Sequence, residues 1–166
     1  MKFTKTENHL LLSDCKNFDP FVSCECGQCF RFNKNSDNEY VLFACDRPLT
    51  IRKQGGDWLF LDITEEEFKR SFVPYFDLER DYGKIITGYS NDASIARAAI
   101  AGSGIRIFRQ DAFETVISFI ISANNNIPRI KKIIESLCEL LGERVGDSYS
   151  FPTPESIVKA GVEGLA

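Results

Sequence analysis

A run of three asparagines lies between two helical patterns in the segment SFIISANNNIPRI. Asn124, Asn125 and Asn126 are poor helix formers because their amides compete with the backbone for hydrogen bonds, which places them at a helix end. Pro128 suits the first turn of a following helix, and Arg129 comes directly after it. Such a corner presents amides and a guanidinium, the groups that read base edges and phosphates in nucleic acids.

Helix capping alone explains one asparagine at such a junction, but three in succession exceed what a cap requires. A buried helix before the run and an amphipathic helix after it would hold the amides rigidly at a corner. This geometry suits insertion into a duplex from which a base has been flipped out. We therefore predict that Asn124, Asn125, Asn126 and Arg129 bind DNA.

A second cluster, CECGQCFRF, occupies residues 24–32. Gly27 allows a backbone carbonyl to approach a ligand closely because no side chain intervenes, and Gln28 supplies an amide. The alternative is an ordinary turn that leads into a strand, since short signals of this kind often match by chance. From these residues alone, both interpretations remain open.

The same segment contains Cys24, Cys26 and Cys29. Together with Cys15 or Cys45 they could form a tetrahedral thiolate site for zinc, although such sites normally use two well-separated pairs of ligands. The start of the chain, MKFTKTENHL, lacks the apolar region of a signal peptide, so the cysteines are expected to be thiols. We expect no metal and no cofactor, and keep a thiol-based metal or redox protein as an alternative.

The charge of the chain is unevenly distributed. Its net charge of −4 argues, taken alone, against a nucleic-acid partner. Residues 97–132, however, contain six basic and two acidic side chains. A local basic surface can attract phosphates within a Debye length of about 8 Å.

The apolar runs are too short to span a membrane. With no signal region at the start either, we expect no membrane association and a cytoplasmic protein, associated with the nucleoid if the source is bacterial.

The elements that would position these clusters differ between the two parts of the chain. The first 62 residues predict short strands separated by turn formers: HLLLS, CFRFN, EYVLFA, LTIRK and WLFLD. The connection Gln54–Asp57 between the last two predicts a hairpin. Alternation of apolar and polar residues indicates an antiparallel sheet with one buried face.

From Thr64 onward the periodicity is helical. Thr64 and Glu67 form a capping box, and Asp111 with Glu114 caps the nearly all-apolar FETVISFIIS, for which a buried helix is expected. Further helices are predicted over 93–101, over 128–141 and after Thr153.

Strands followed by helices indicate an α+β chain. We place the domain boundary between residues 77 and 105, with a sheet domain that includes helices at 1–104 and the first part of a helical domain at 105–166.

Three segments resemble, in the same order, the 8-oxoguanine DNA glycosylases of the helix-hairpin-helix superfamily: GQCFRF at 27–32, IRIFRQDAFETVISFIISANNNIPRI at 105–130 and FPTPE at 151–155. The resemblance implies an N-terminal antiparallel sheet domain similar to the TATA-binding protein fold, followed by the beginning of an all-α glycosylase domain. It also implies base-excision repair of damaged double-stranded DNA, by a glycosylase and AP lyase that removes 8-oxoguanine opposite cytosine.

The resemblance implies a role for each candidate residue. The Gly27 carbonyl would accept the N7 hydrogen that 8-oxoguanine has and guanine lacks, and Gln28 would buttress that turn. Asn124 would fill the gap left by the flipped base, with the next two asparagines supporting the corner. Arg129 would hold the widowed cytosine.

The chain departs from the family pattern in one respect. The nucleophilic lysine and the catalytic aspartate of the family lie in and after a hairpin of the type LPGVGxKxA, and KAGVEGLA at 159–166 lacks its glycine spacing. We therefore expect that this chain contains no catalytic residue. We expect it to be the N-terminal portion of the enzyme and to be inactive alone. The complete enzyme is expected to be a monomer. An alkylpurine DNA glycosylase of the same superfamily and a noncatalytic DNA-binding fragment are the alternatives.

Overall fold

The computed structural model describes residues 1–89 and 91–165, so the last residue of KAGVEGLA lies outside the described residues. The strands are β1 (Lys2–Thr6), β2 (His9–Ser13), β3 (Phe32–Ser36), β4 (Glu39–Ala44), β5 (Arg47–Gln54), β6 (Asp57–Phe60), β7 (Arg144–Val145) and β8 (Ser148–Tyr149). The helices are α1 (Pro20–Ser23), α2 (Glu65–Glu67), α3 (Val73–Tyr75), α4 (Tyr82–Gly88), α5 (Ala93–Ala101), α6 (Ala112–Ser122), α7 (Ile127–Leu141) and α8 (Pro154–Ala160). Wider helical turns, Cys24–Gln28 and Phe68–Phe72, extend α1 and join α2 to α3, and a tight helical turn covers Glu163–Leu165.

Strands β1 to β6 form one antiparallel sheet in the spatial order β1-β2-β6-β5-β4-β3. The predicted hairpin is β5–β6, in which Gln54 pairs with Asp57. Gly55 adopts a φ of +63°, a left-handed conformation that tight two-residue turns require. The predicted α+β class with an N-terminal antiparallel sheet is confirmed.

One face of this sheet is buried, as the alternation in the strands predicts. Apolar side chains of β2, β4, β5 and β6 point into the core and are fully buried, among them Leu10, Leu12, Leu42, Leu49, Ile51 and Phe60. The buried rings of Phe68, Phe72 and Phe76 cover this face at helical spacing, and the Phe60 and Phe68 centroids are 4.5 Å apart. Burying each such ring contributes roughly 1.5–3 kcal/mol to folding.

The strands of the structure differ from the prediction in two places. β1 was not predicted, because at this sheet edge only Phe3 is partly buried and no apolar alternation marks the strand. The segment CFRFN was predicted as a strand from Cys29, whereas β3 begins at Phe32. A helical segment comes before it, with Asp19 accepting hydrogen bonds from the backbone N–H groups of Phe21 and Val22.

The predicted helix ends are largely confirmed. The Thr64 and Asp111 side chains accept hydrogen bonds from the backbone N–H groups of Glu67 and Glu114. Gly142 ends α7, and a Cβ there would lie 2.1 Å from the Ser150 carbonyl oxygen, so only glycine permits this approach.

The expectation that FETVISFIIS forms a buried helix was wrong in part. The helix is present as α6, but Val116, Phe119 and Ile120 are 57%, 49% and 65% exposed. α6 packs against α7 and against the Phe30 and Phe151 rings, and within residues 1–89 and 91–165 the side of α6 that carries these three side chains is left exposed.

No helix in the described part of the chain is both long and apolar enough to cross a membrane. The domain boundary at residue 104 stays a prediction.

Candidate functional site

The asparagine run forms the corner between α6 and α7. The Asn126 Oδ1 atom accepts a hydrogen bond from the Arg129 backbone N–H at 3.0 Å and so caps the start of α7. The Asn125 Nδ2 atom donates to the Ile121 carbonyl at 2.7 Å, which satisfies a carbonyl at the end of α6. Two of the three asparagines therefore stabilise the corner itself.

Asn124 differs from its two neighbours. Its φ of +58° is left-handed, a conformation that asparagine tolerates better than most residues. The side chain is exposed, and it has no hydrogen-bond partner among residues 1–89 and 91–165. Of the three amides, this one is available to a ligand.

Arg129 is exposed in the first turn of α7. With Lys132 it lines a cleft of about 780 Å³ between α6, α7 and α8. The remaining lining is mainly apolar and includes Ile117, Ile133 and Leu137. The corner thus combines a free amide, a guanidinium and an adjacent apolar cleft.

Gly27 has a left-handed backbone, with φ +86° and ψ 13°. A Cβ at this position would meet no atom within 4 Å, so the backbone conformation and not the available space requires glycine. The segment is therefore a turn, and Gly27 in it is partly exposed.

The Gln28 side chain is fully engaged with the protein. Its Nε2 atom donates to the carbonyls of Ser23 and Arg106, both at 2.8 Å. Its Oε1 atom accepts from the Phe108 backbone N–H at 2.8 Å. These partners fit a residue that buttresses the turn and leave its amide little capacity to read a base.

The residues that follow the Gly27 turn pack against the two helices that form the asparagine corner. Phe30 is buried against α6 and α7, with its ring centroid 5.9 Å from that of Phe119 and with Ile130 in the same apolar cluster. The Lys131 Nζ atom lies 3.5 Å from the centroid of the Phe32 ring, and burial lowers the pKa of Lys131. Residues 30–32 therefore lie across the two helices that form the corner.

Sequence reasoning missed the ion pair of Arg31 and Glu114. Arg31 Nη1 lies 3.5 Å from Glu114 Oε2, and its guanidinium carbon is 3.8 Å from the centroid of the Phe43 ring. Within the described residues Nη1 has no hydrogen-bond partner, so this contact is an ion pair without hydrogen-bond geometry. Burial raises the pKa of Glu114, and the nearby Arg31 opposes that rise.

The predicted basic stretch is less available to phosphates than its sequence indicates. Arg106 is only 4% exposed, and its guanidinium donates to four backbone carbonyls, those of Lys16, Asn17, Asp77 and Arg80. The Arg109 guanidinium pairs with Asp77 at 2.9 Å. Buried and exposed arginines look alike in a sequence, so only the fold separates them.

The three clustered cysteines differ in their exposure. Cys24 and Cys29 are buried, whereas Cys26 is exposed and its thiol donates to the Ser23 carbonyl. Hydrogen bonding to Cys29 and burial hold the pKa of Cys24 well above its usual range. Because a metal binds the thiolate, this environment favours the protonated thiol. No group of three metal-ligating side chains converges within residues 1–89 and 91–165.

We expect the purified protein to contain no stoichiometric zinc. Metal analysis combined with thiol titration under denaturing and native conditions measures this directly. One equivalent of zinc released as Cys24, Cys26 and Cys29 are modified would contradict the expectation and favour a thiolate metal site.

Comparisons with known proteins identify the family of this chain. A family model for the 8-oxoguanine DNA glycosylase N-terminal domain matches residues 10–116. The N-glycosylase/DNA lyase of Saccharomyces cerevisiae is 35% identical over 104 residues, which cover 60% of this chain and 28% of the yeast protein.

Solved structures extend the similarity. The apo-form of the 8-oxoguanine glycosylase/lyase of Clostridium acetobutylicum is 36% identical with a TM-score of 0.92, over 98% of this chain and 59% of that one. The same enzyme in complex with double-stranded DNA containing cytosine opposite 8-oxoG matches with a TM-score of 0.92 and 36% identity, over 99% and 58% of the two chains. The chain thus spans less than two thirds of the length of these relatives. The match over residues 10–116 covers more than half of the sequence, and the chain belongs to the 8-oxoguanine DNA glycosylase N-terminal domain family.

Proposed function

We propose that this chain supplies the lesion-reading part of a DNA glycosylase and AP lyase that removes 8-oxoguanine opposite cytosine. The observation that carries the proposal is the packing of Phe30, three residues after Gly27, against α6 and α7, the two helices whose junction contains Asn124. The solved relative bound to duplex DNA containing cytosine opposite 8-oxoG supports the choice of ligand.

The Gly27 carbonyl is suited to tell the lesion from guanine. A carbonyl oxygen accepts a hydrogen bond and cannot donate one. 8-Oxoguanine carries a hydrogen at N7, whereas the N7 of guanine is an acceptor, so the same carbonyl attracts the first and repels the second. A left-handed glycine lets the backbone approach the base closely because it carries no side chain.

The asparagine corner is suited to fill the gap left by the lesion and to bind the cytosine of the opposite DNA strand. The free amide of Asn124 would enter the space left by the flipped nucleotide, since extrusion of a base leaves a gap in the stack. Arg129 carries five N–H donors in a rigid fork, which can contact the O2 and N3 acceptors of an unpaired cytosine. Asn125 and Asn126 act through the corner, which they hold in place.

We assign the covalent step to the part of the relatives' length that residues 1–166 do not span. In that step a lysine amine attacks the sugar C1′, a C–N bond forms, and the bond to the damaged base breaks. The resulting Schiff base permits strand cleavage. The candidate residues of this chain bind and orient the flipped nucleotide and the strand opposite it.

Replacing Arg129 by alanine is expected to reduce the preference for cytosine opposite the lesion. A good bidentate contact contributes about 1–3 kcal/mol of discrimination between bases, which corresponds to roughly 5- to 150-fold in affinity ratio. The measurement is fluorescence anisotropy with duplexes that place each of the four bases opposite 8-oxoguanine.

Lys132→Ala is the matched control, because Lys132 is another exposed cation lining the same cleft. We expect it to weaken binding to all four duplexes evenly. If Arg129→Ala left the preference unchanged, Arg129 would lose its proposed role in reading cytosine. A further duplex carries an alkylated purine in place of 8-oxoguanine, and preferential binding to it would instead favour the alkylpurine branch of the superfamily.

A further inference from the structure

Two glutamines, Gln28 and Gln110, connect the residue after Gly27 to the segment 106–110 by hydrogen bonds. The Gln28 side chain bonds to the backbone of Arg106 and Phe108, as described above. In return, the Gln110 Nε2 atom donates to the backbone carbonyl of Gln28 at 2.6 Å. Each side chain thus binds the backbone of the other's segment, and we term this pair, Gln28 and Gln110, the glutamine clasp.

The glutamine clasp restricts Gly27, which is the most flexible residue of the turn. Glycine has wide conformational freedom, and no packing atom lies within 4 Å of the position of a Gly27 Cβ. The direction of the Gly27 carbonyl is set by its own ψ and by the position of the next residue. Because Gln28 is held through both its side chain and its backbone carbonyl, the clasp restricts that direction.

The clasp also connects the turn to the asparagine corner. Gln110 directly precedes Asp111, which caps the start of α6. α6 has 11 residues and ends just before the corner that contains Asn124. A helix of this length is a stiff rod of about 16 Å, so fixing its first turn to Gln28 also fixes the separation of the two DNA-facing features.

We propose that Gln110 is a positioning residue that determines lesion specificity by aiming the Gly27 carbonyl and setting its separation from the Asn124 corner. The inference rests on the proposed function, because it assigns the reading of N7 to Gly27. Gln110 acts through Gln28 and need not touch the DNA.

The test uses Gln110→Glu in the full 166-residue chain, because this change keeps the side-chain shape and removes the N–H donor. Gln110→Ala is the second variant, and Gln54→Ala in the exposed β5–β6 hairpin is the matched control. Nitrogen-15 relaxation reports the mobility of the Gly27 and Gln28 amides without DNA. Anisotropy with duplexes carrying 8-oxoguanine or guanine opposite cytosine gives the selectivity ratio.

Both Gln110 variants are expected to lower the order parameter of Gly27 from the rigid range, about 0.85, toward about 0.6. They should also reduce the selectivity ratio by up to about tenfold, the effect of one lost hydrogen bond. Gln54→Ala should change neither quantity. Urea unfolding of each variant separates these local effects from a loss of global stability.

Unchanged Gly27 mobility in both Gln110 variants would overturn the positioning role. Increased mobility with an unchanged selectivity ratio would overturn the role in specificity. If the unaltered chain itself did not distinguish 8-oxoguanine from guanine, the proposed function of this chain would fail, while the relaxation data would still decide whether the clasp positions Gly27.

Discussion

The 166-residue chain alone is expected to leave 8-oxoguanine in DNA and to form no adduct that borohydride can trap. Attack at C1′ requires a deprotonated amine held against the sugar. Burial lowers the pKa of Lys131, but its ammonium lies over the Phe32 ring, 3.5 Å from the ring centroid, and is engaged in that contact. Lys159 is exposed in the last turn of α8 and does not lie in a hairpin of the family type.

The measurement incubates the chain with lesion-containing duplex and borohydride and resolves any cross-linked product on a denaturing gel. The complete Clostridium acetobutylicum enzyme is the positive control, and a mixture of the chain with the remaining segment of that relative tests complementation. A trapped adduct from the chain alone would show that the nucleophile has been misplaced. Lys159→Arg and Lys131→Arg would then be the first variants to examine.

Replacing Arg106 by alanine is expected to destabilise the folded chain by about 3–5 kcal/mol, a large share of the roughly 5–15 kcal/mol that holds a typical domain together. The guanidinium satisfies four backbone carbonyls from two separate segments, residues 16–17 and 77–80. It also lies over the Tyr82 ring, with its carbon 4.4 Å from the centroid. Removing it leaves these buried acceptors without partners.

Urea unfolding followed by circular dichroism measures the change in the free energy of unfolding. Arg97→Ala on α5 is the control, because Arg97 is exposed and should change stability by no more than about 0.5 kcal/mol. Unchanged stability of Arg106→Ala would contradict this structural role, and anisotropy with duplex DNA would then test whether Arg106 binds phosphates as the sequence predicted.

Local signals in the sequence were enough to predict most helices and strands of this chain. Caps at Thr64 and Asp111 mark helix starts because a side-chain oxygen satisfies free backbone N–H groups. The Gly55–Gly56 connection marks the hairpin because it permits a left-handed turn. The edge strand β1 carries no such signal, since neither of its faces is packed well enough to impose alternation.

The different roles of the candidate residues depend on the tertiary structure and could not be predicted from the sequence. Three identical amides have different roles, because the backbone at the corner directs them differently. Asn126 caps α7, Asn125 donates to the Ile121 carbonyl, and Asn124 is free. Arg106 and Arg129 are chemically the same, yet one is surrounded by carbonyls and the other faces solvent. Gln110 contacts the residue after Gly27 across 82 positions of sequence, a pairing that no local pattern encodes because folding alone brings the two segments together.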